Sequence, residues 1–359
     1  MRNKIISKAP GRVCLFGDHQ DYLGLPIIAT TINKEISIEA IKNNSKEFNI
    51  YKKDLNEYDR IPINDYIRTD EKDFLRIALK VLKKYNCIPD QGYDITINSD
   101  IPINSGLSSS SALIVAWVNF LLSCFSDKSI SAKFLAELSY EIEVLEMQGS
   151  GGKMDQYTIA NGKTIFLDTN TNCFDSFDHD LCDMIIGVSN QSKDTQGLLK
   201  KLKENSTKSI EIVETKIPGF NLYDEENINN SSYLNLLDNY LMPYFKAAVG
   251  NYKITIDAKI EFSKPKLDIN KVSDLMNTHH NYLKDELKIT TPEIDNMINI
   301  AKENGAIGSK IVGSGGGGSI VSLSTNSKIS NKIVSELKRI GVKDAFIANR
   351  GGGPKIYYE

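Results

Sequence analysis

Apolar positions along the chain change period several times, and each change predicts an element. Ile36 to Ala40 alternates apolar with polar side chains, and Tyr93 to Ile97 does the same ahead of a proline-containing turn, as strands with one buried face do. Ala112 to Cys124 is a long apolar segment that reads as a buried helix. Between Ser131 and Met147, the residues Phe134, Leu135, Leu138, Ile142 and Leu145 recur mostly at spacings of three and four. That spacing predicts an amphipathic helix ending at the glycines around Gly149. Met184 to Val188 reads as a buried strand, and Asp194 to Val213 as a lysine-rich helix. The polar run Asn227 to Ser232 is expected to be a loop, and no internal repeat is evident.

Length adds organisation. At 359 residues the chain exceeds the size at which one core keeps growing. Two domains are therefore expected, residues 1–180 and 181–359, with a ligand in the cleft between them. Charge narrows the partners: 43 Lys and Arg against 46 Asp and Glu leave a net charge of -3, with no general attraction toward nucleic acid or an anionic membrane. The stretch from Met1 to Lys8 carries Arg2, Lys4 and Lys8 around a short apolar segment, and no window approaches the roughly 20 apolar residues of a membrane span. A small-molecule partner and a cytoplasmic location are expected. Cys14, Cys87, Cys124, Cys173 and Cys182 are odd in number and form no CxxC pair, which favours reduced thiols over disulfides or zinc.

Four glycine- or serine-punctuated segments carry candidate chemistry. In Ala9 to Gly24, APGRVCLFGDHQDYLG, a short strand over Arg12 to Phe16 leads into a glycine turn that gathers Asp18, His19 and Asp21. Two carboxylates and an imidazole can satisfy several sugar hydroxyls; read alone, the same turn is an acidic surface loop. Pro102 to Leu113, PINSGLSSSSAL, precedes the apolar helix. Glycine and serines at a helix N-terminus offer N–H groups and hydroxyls where the helix dipole is positive, a basis for holding phosphate. One serine there would be an ordinary cap, and the GK[ST] ending of a Walker motif is absent. In Gly152 to Tyr157, GKMDQY, Asp155 sits in a glycine-rich turn where Arg12 and Lys153 could keep it ionised to orient or deprotonate a hydroxyl. Alone it would be a turn or capping residue. Lys310 to Leu323, KIVGSGGGGSIVSL, joins two short apolar segments through glycines. The β-branched Ile320 and Val321 argue for strand, turn and strand rather than a dinucleotide fingerprint.

Taken in order, these segments resemble the GHMP kinases, and within them the galactokinases. There the motifs read approximately GRxNLIGEHTDYNGG, PxGxGLSSSAxL, GxMDQ and TGxGFGG; here they read GRVCLFGDHQDYLGL, PINSGLSSSSAL, GKMDQ and VGSGGGGS. Leu275 to Glu293, LMNTHHNYLKDELKITTPE, is similar to a further galactokinase segment, so the resemblance runs from residue 9 to about residue 319. It implies an α+β, two-domain GHMP kinase fold: an N-terminal ribosomal protein S5 domain 2-like domain, a C-terminal ferredoxin-like GHMP domain, and an active site in the cleft between them. It implies an ATP-dependent, Mg²⁺-using kinase acting on a sugar hydroxyl, with the anomeric hydroxyl of galactose or a related sugar or uronic acid as acceptor. Asp155 matches the catalytic aspartate and Arg12 the arginine that pairs with it. Ser110 matches the Mg²⁺-binding serine and Glu143, twelve positions before Asp155, its acidic partner. Asp18, His19, Asp21 and Gly152 match sugar-binding positions. Gly106, Leu107, Ser108, Ser109, Ser110 and Ser111 match the phosphate loop. The expected state is a monomer or homodimer.

Departures fall on the sugar side. Asp18 is one methylene shorter than the usual Glu, Gln20 replaces Thr, and Leu23 and Leu25 stand where Asn and Gly are common. The GSGGGGS loop is closer to that of mevalonate and heptose-phosphate kinases. A mevalonate-type or heptose-phosphate kinase is the alternative within the family, and a non-catalytic sugar sensor the alternative outside enzymes; the retention of Arg12, Asp155 and the serine loop favours the enzyme.

Overall fold

The computed structural model describes residues 4–63, 73–191, 195–224 and 231–359. The expected strands and helices form, embedded in longer elements. The strand over Arg12 to Phe16 is the end of β1, Lys4–Phe16, and Ile36 to Ala40 lies within β2, Ile27–Lys42. β2 is long enough to pair with β1, with β5, Tyr93–Ser99, and with β6, Thr164–Asp168, at different points along its length. β3, Glu47–Lys52, β4, Glu57–Pro62, and β7, Cys173–Phe177, complete this side. The sheet runs β12-β1-β2-β5-β3-β4, with β6 and β7 branching from β2. Only β3 and β5 are parallel within it. β12, Lys355–Tyr358, closes the edge at β1 from the far end of the chain.

The apolar segment Ala112 to Cys124 lies in α2, Ser109–Phe125, between this sheet and its neighbouring helices, which is why it is buried nearly all round. Trp117 packs edge-on to Phe48 at 5.4 Å, and its indole N–H donates to the Leu75 carbonyl of α1, Phe74–Lys83. The indole satisfies its one polar atom and buries the rest.

The segment Ser131 to Met147 departs from expectation in its last turns. Ser131 caps α3, Ala132–Tyr140, by accepting the Phe134 N–H. From Glu141 to Glu146 the helix then widens into a π turn, continued where the Gly149 N–H donates to the Val144 carbonyl five residues back. The extra residue per turn rotates everything after it. Leu145, a core position on α-helical spacing, is 57% exposed as a result.

The second sheet, β11-β8-β10-β9, is antiparallel throughout and comprises β8, Asp183–Val188, β9, Gly308–Val312, β10, Ser319–Ser324, and β11, Asp344–Ala348. The glycine segment is indeed strand, turn and strand: Ser319 pairs with Val312 across it. Met297, Ile298, Leu337 and Ile320 share the core beneath the flanking helices. The lysine-rich helix spans Thr195–Lys216, with Asp194 outside the described residues. Of the expected loop Asn227 to Ser232, residues 227–230 also lie outside them, and Ser231 and Ser232 open a 3-10 turn, Ser231–Leu236. The architecture is α+β, and residue 180 lies between β7 and β8, where the chain passes from one sheet to the other.

Candidate active site

A break in the register between β1 and β2, opposite Gly11, organises the site. The register between β1 and β2 slips between Pro10 and Arg12, and the Arg12 amide donates instead to the Leu107 carbonyl of the serine loop, 3.1 Å away. Gly11 is required at the slip: a Cβ there would stand 2.9 Å from the Leu107 oxygen. The Arg12 side chain, 4% exposed, reaches the same loop and the second half of the site. Its Nη1 donates to the Gly106 carbonyl at 2.6 Å, and its Nε donates to Asp155 Oδ1 at 2.7 Å. The other Asp155 oxygen accepts from Ser108 Oγ at 2.5 Å.

Ser108 begins α2 in the left-handed region, φ 61°, and its hydroxyl makes no cap bond because it is given to Asp155. The Ser108 side chain therefore leaves the first N–H groups of α2 uncapped, at the positive end of the helix where an anion is favoured. Asp155 itself lies in the first turn of α4, Met154–Asn161, rather than in a glycine turn, so a helix fixes its position.

Ser110 is exposed, and its Oγ donates to Glu143 Oε1 at 2.9 Å; Gln156 Nε2 donates to Glu143 Oε2 at 2.6 Å. The π turn supplies this arrangement. Glu143 faces the start of α2, while Glu141 and Glu146 face Lys84 and Lys80 on the surface. Burial and the nearby charge of Asp155 raise the Glu143 pKa. A hydroxyl beside a carboxylate, both hard oxygen donors in a locally acidic spot, fits the Mg²⁺ that the resemblance implies. Among the described residues no group of three His, Cys, Asp or Glu side chains could hold a metal.

A cavity of about 230 Å³ is lined by Asp21, Tyr22, Tyr140, Gly152 and Thr169, with Lys153 and Lys203. Asp21 Oδ2 accepts the Met154 N–H at 3.2 Å, tying the cavity wall to the helix of Asp155. Gly152 is packed so closely that an added Cβ would fall 2.3 Å from Asp21 Cγ. Burial, and then the charge of Asp155, push the Asp21 carboxyl up to about 6. His19, φ 63°, turns its Nδ1 toward the Tyr22 hydroxyl at 3.1 Å.

Two side chains pair elsewhere than the sequence suggests. Asp18 does not share the cavity with Asp21: it is 1% exposed and paired with Lys310 of β9 at 2.6 Å, its shorter side chain held away from the opening. Lys153 is no neighbour for Asp155, since its ammonium donates to the Thr169 carbonyl and to Asn172 Oδ1. Gln156 and Lys310 lie inside segments singled out in the sequence, but neither was given a role there. Lys310 left a signal, because a lone lysine in an apolar strand must find a buried carboxylate.

Three family models match the chain: GHMP kinases N terminal domain over residues 73–163, GHMP kinases C terminal over residues 263–343, and Galactokinase galactose-binding signature over residues 2–41. The chain is 27% identical to a galactokinase of Streptococcus mutans over 97% of its own length and 93% of the relative's. It is 24% identical to a mevalonate kinase of Thermococcus sibiricus over 89% of each. Among solved structures, Lactococcus lactis galactokinase complexed with galactose is similar in fold, with a TM-score of 0.85 at 22% identity, covering 98% of this chain and 95% of that one. Methanococcus jannaschii mevalonate kinase is similar with a TM-score of 0.72 at 22% identity, covering 97% and 98%.

Proposed function

The chain belongs to the GHMP kinase family, and from that premise we propose that it transfers the γ-phosphoryl group of ATP to a hydroxyl of galactose, the anomeric one by likeness to galactokinases. The observation that carries the reading is Arg12. One buried guanidinium clasps both the serine loop, where phosphate would lie, and Asp155, where the acceptor hydroxyl would lie.

In this reading Asp155 accepts the hydrogen bond of the attacking hydroxyl and aligns or removes its proton. Arg12 fixes the carboxylate and balances charge that develops on the transferred group. Gly106 to Ser111 hold the nucleotide phosphates through the open end of α2. Ser110 and Glu143 would hold Mg²⁺, which when bound neutralises phosphate charge. His19, Asp21 and Gly152 form the sugar wall, with Asp21 accepting from a sugar hydroxyl. Phosphoryl transfer asks mainly for positioning and charge neutralisation, and these residues supply both.

The glycine-rich GSGGGGS loop and the mevalonate kinase relatives support a second acceptor class, mevalonate. The deciding experiment offers galactose, galacturonate and mevalonate with ATP and Mg²⁺ and measures ADP release. Galactose is expected to give the highest kcat/KM. Turnover of mevalonate alone would reject the sugar reading, and no turnover of any acceptor would favour a sensor.

A further inference from the structure

The buried pair of Asp18 and Lys310 has no part in the mechanism above, yet it joins the two halves of the site. Lys310 is completely buried, and its ammonium spends its donors on Asp18 Oδ2, the Cys14 carbonyl and the Ile311 carbonyl at 2.6, 3.1 and 2.7 Å. The remaining Asp18 oxygen accepts the backbone N–H of Gly313 at 3.1 Å, the first residue of the glycine turn. A second tie lies close by: Ser319 Oγ, at the other end of that turn, donates to the Ser105 carbonyl beside the serine loop at 2.6 Å. Both Asp18 oxygens are thus committed to the hairpin of β9 and β10, and the side chain has no surface on the cavity that Asp21 lines.

From this geometry we infer that Asp18 is not a sugar ligand in this chain but a positioning residue, which with Lys310 pins the glycine turn against the serine loop and so sets the nucleotide side of the site. The inference rests on the kinase reading and refines it by moving one carboxylate from the acceptor half to the phosphate half. Asp18 is held at about 2, because the adjacent Lys310 charge more than offsets the burial that would raise it. The Asp18 carboxyl is therefore ionised at neutral pH. Removing one partner would strand a buried charge and destabilise the fold, whereas removing both need not.

The test compares the parent, Asp18→Asn/Lys310→Met and Asp21→Asn, with thermal unfolding to confirm that each is folded. Galactose affinity is measured by calorimetry without nucleotide, and Mg-ATP kinetics by ADP release. The double variant is expected to keep galactose affinity within about threefold, while kcat/KM for Mg-ATP drops about tenfold to a hundredfold, as a slightly misplaced loop would cause. Asp21→Asn is expected to show the opposite split. A folded double variant that loses galactose affinity more than about tenfold with Mg-ATP kinetics unchanged overturns the inference. Should the double variant not fold, hydrogen exchange in the parent decides: the Gly313 amide is expected to stay protected when galactose binds, and its deprotection by galactose would show Asp18 leaving the turn for the sugar. A parent that neither binds galactose nor releases ADP with any acceptor overturns the kinase reading instead, and the inference with it.

Discussion

Asp155 holds a charged donor on one oxygen and a hydroxyl donor on the other, so its orientation is fixed before any acceptor arrives. Replacing it with alanine is expected to leave nucleotide binding in place while kcat drops by roughly 10²–10⁴-fold, the usual loss for a positioned acid or base. Single-turnover kinetics with a nucleotide-binding control check this, and near-normal turnover would remove the role. Asp21 is expected to impose a pH dependence on sugar binding. With its carboxyl at about 6, galactose affinity should rise as pH climbs through 6 and the carboxylate forms, and Asp21→Asn should flatten the profile. The same shift works against stability, since the folded form holds a proton between 3.8 and about 6 that the unfolded chain has released. Gly152→Ala would drive a methyl into Asp21 and should weaken galactose binding with little effect on Mg-ATP. At this scale the sequence motifs brought Arg12, Ser110, Glu143 and Asp155 into view. They did not reveal that Asp18 pairs with Lys310, because the partner lies 292 residues away and no local pattern records such a pairing.

Helix starts and turns explain the next level. Ser108 occupies left-handed backbone at the first turn of α2, a conformation costing about 1–2 kcal/mol for an L residue, and in return its hydroxyl points at Asp155. Ser108→Gly should therefore melt close to the parent and Ser108→Ala below it, while both turn over more slowly; equal melting of the two would argue against strain. Strands and helices were legible because alternation and three-to-four spacing survive in β2, β5 and α2. The π turn at Glu141–Glu146 was not, since a hydrophobic count assumes an unbroken α register and gives Leu145 a core place it does not have. The register break opposite Gly11 was equally hidden, because nothing in a strand pattern marks where its partner strand gains unpaired residues.

Across the whole molecule, contacts between distant segments decide both stability and assembly. His279 and His280 are held down to about 3 and about 4, by burial first and then by the charge of Lys310. Below their ordinary value of 6.5 the unfolded chain binds protons that the folded protein refuses, so stability should decline steadily as pH falls from 6.5 toward 4. Urea midpoints across that range check it, and His279→Gln should shallow the slope. Chain length raises an expectation of two domains but says nothing of sheet membership: β12 joins the first sheet although it follows every strand of the second. Its pairing is antiparallel, and Lys4 and Glu359 exchange both backbone hydrogen bonds at the open end. A pull applied to the two termini would therefore load that ladder one rung at a time, like a zipper rather than a sheared lap joint. In optical tweezers the first event should be a low-force peeling of the final strand, with the phosphate loop and Asp155 still folded behind it.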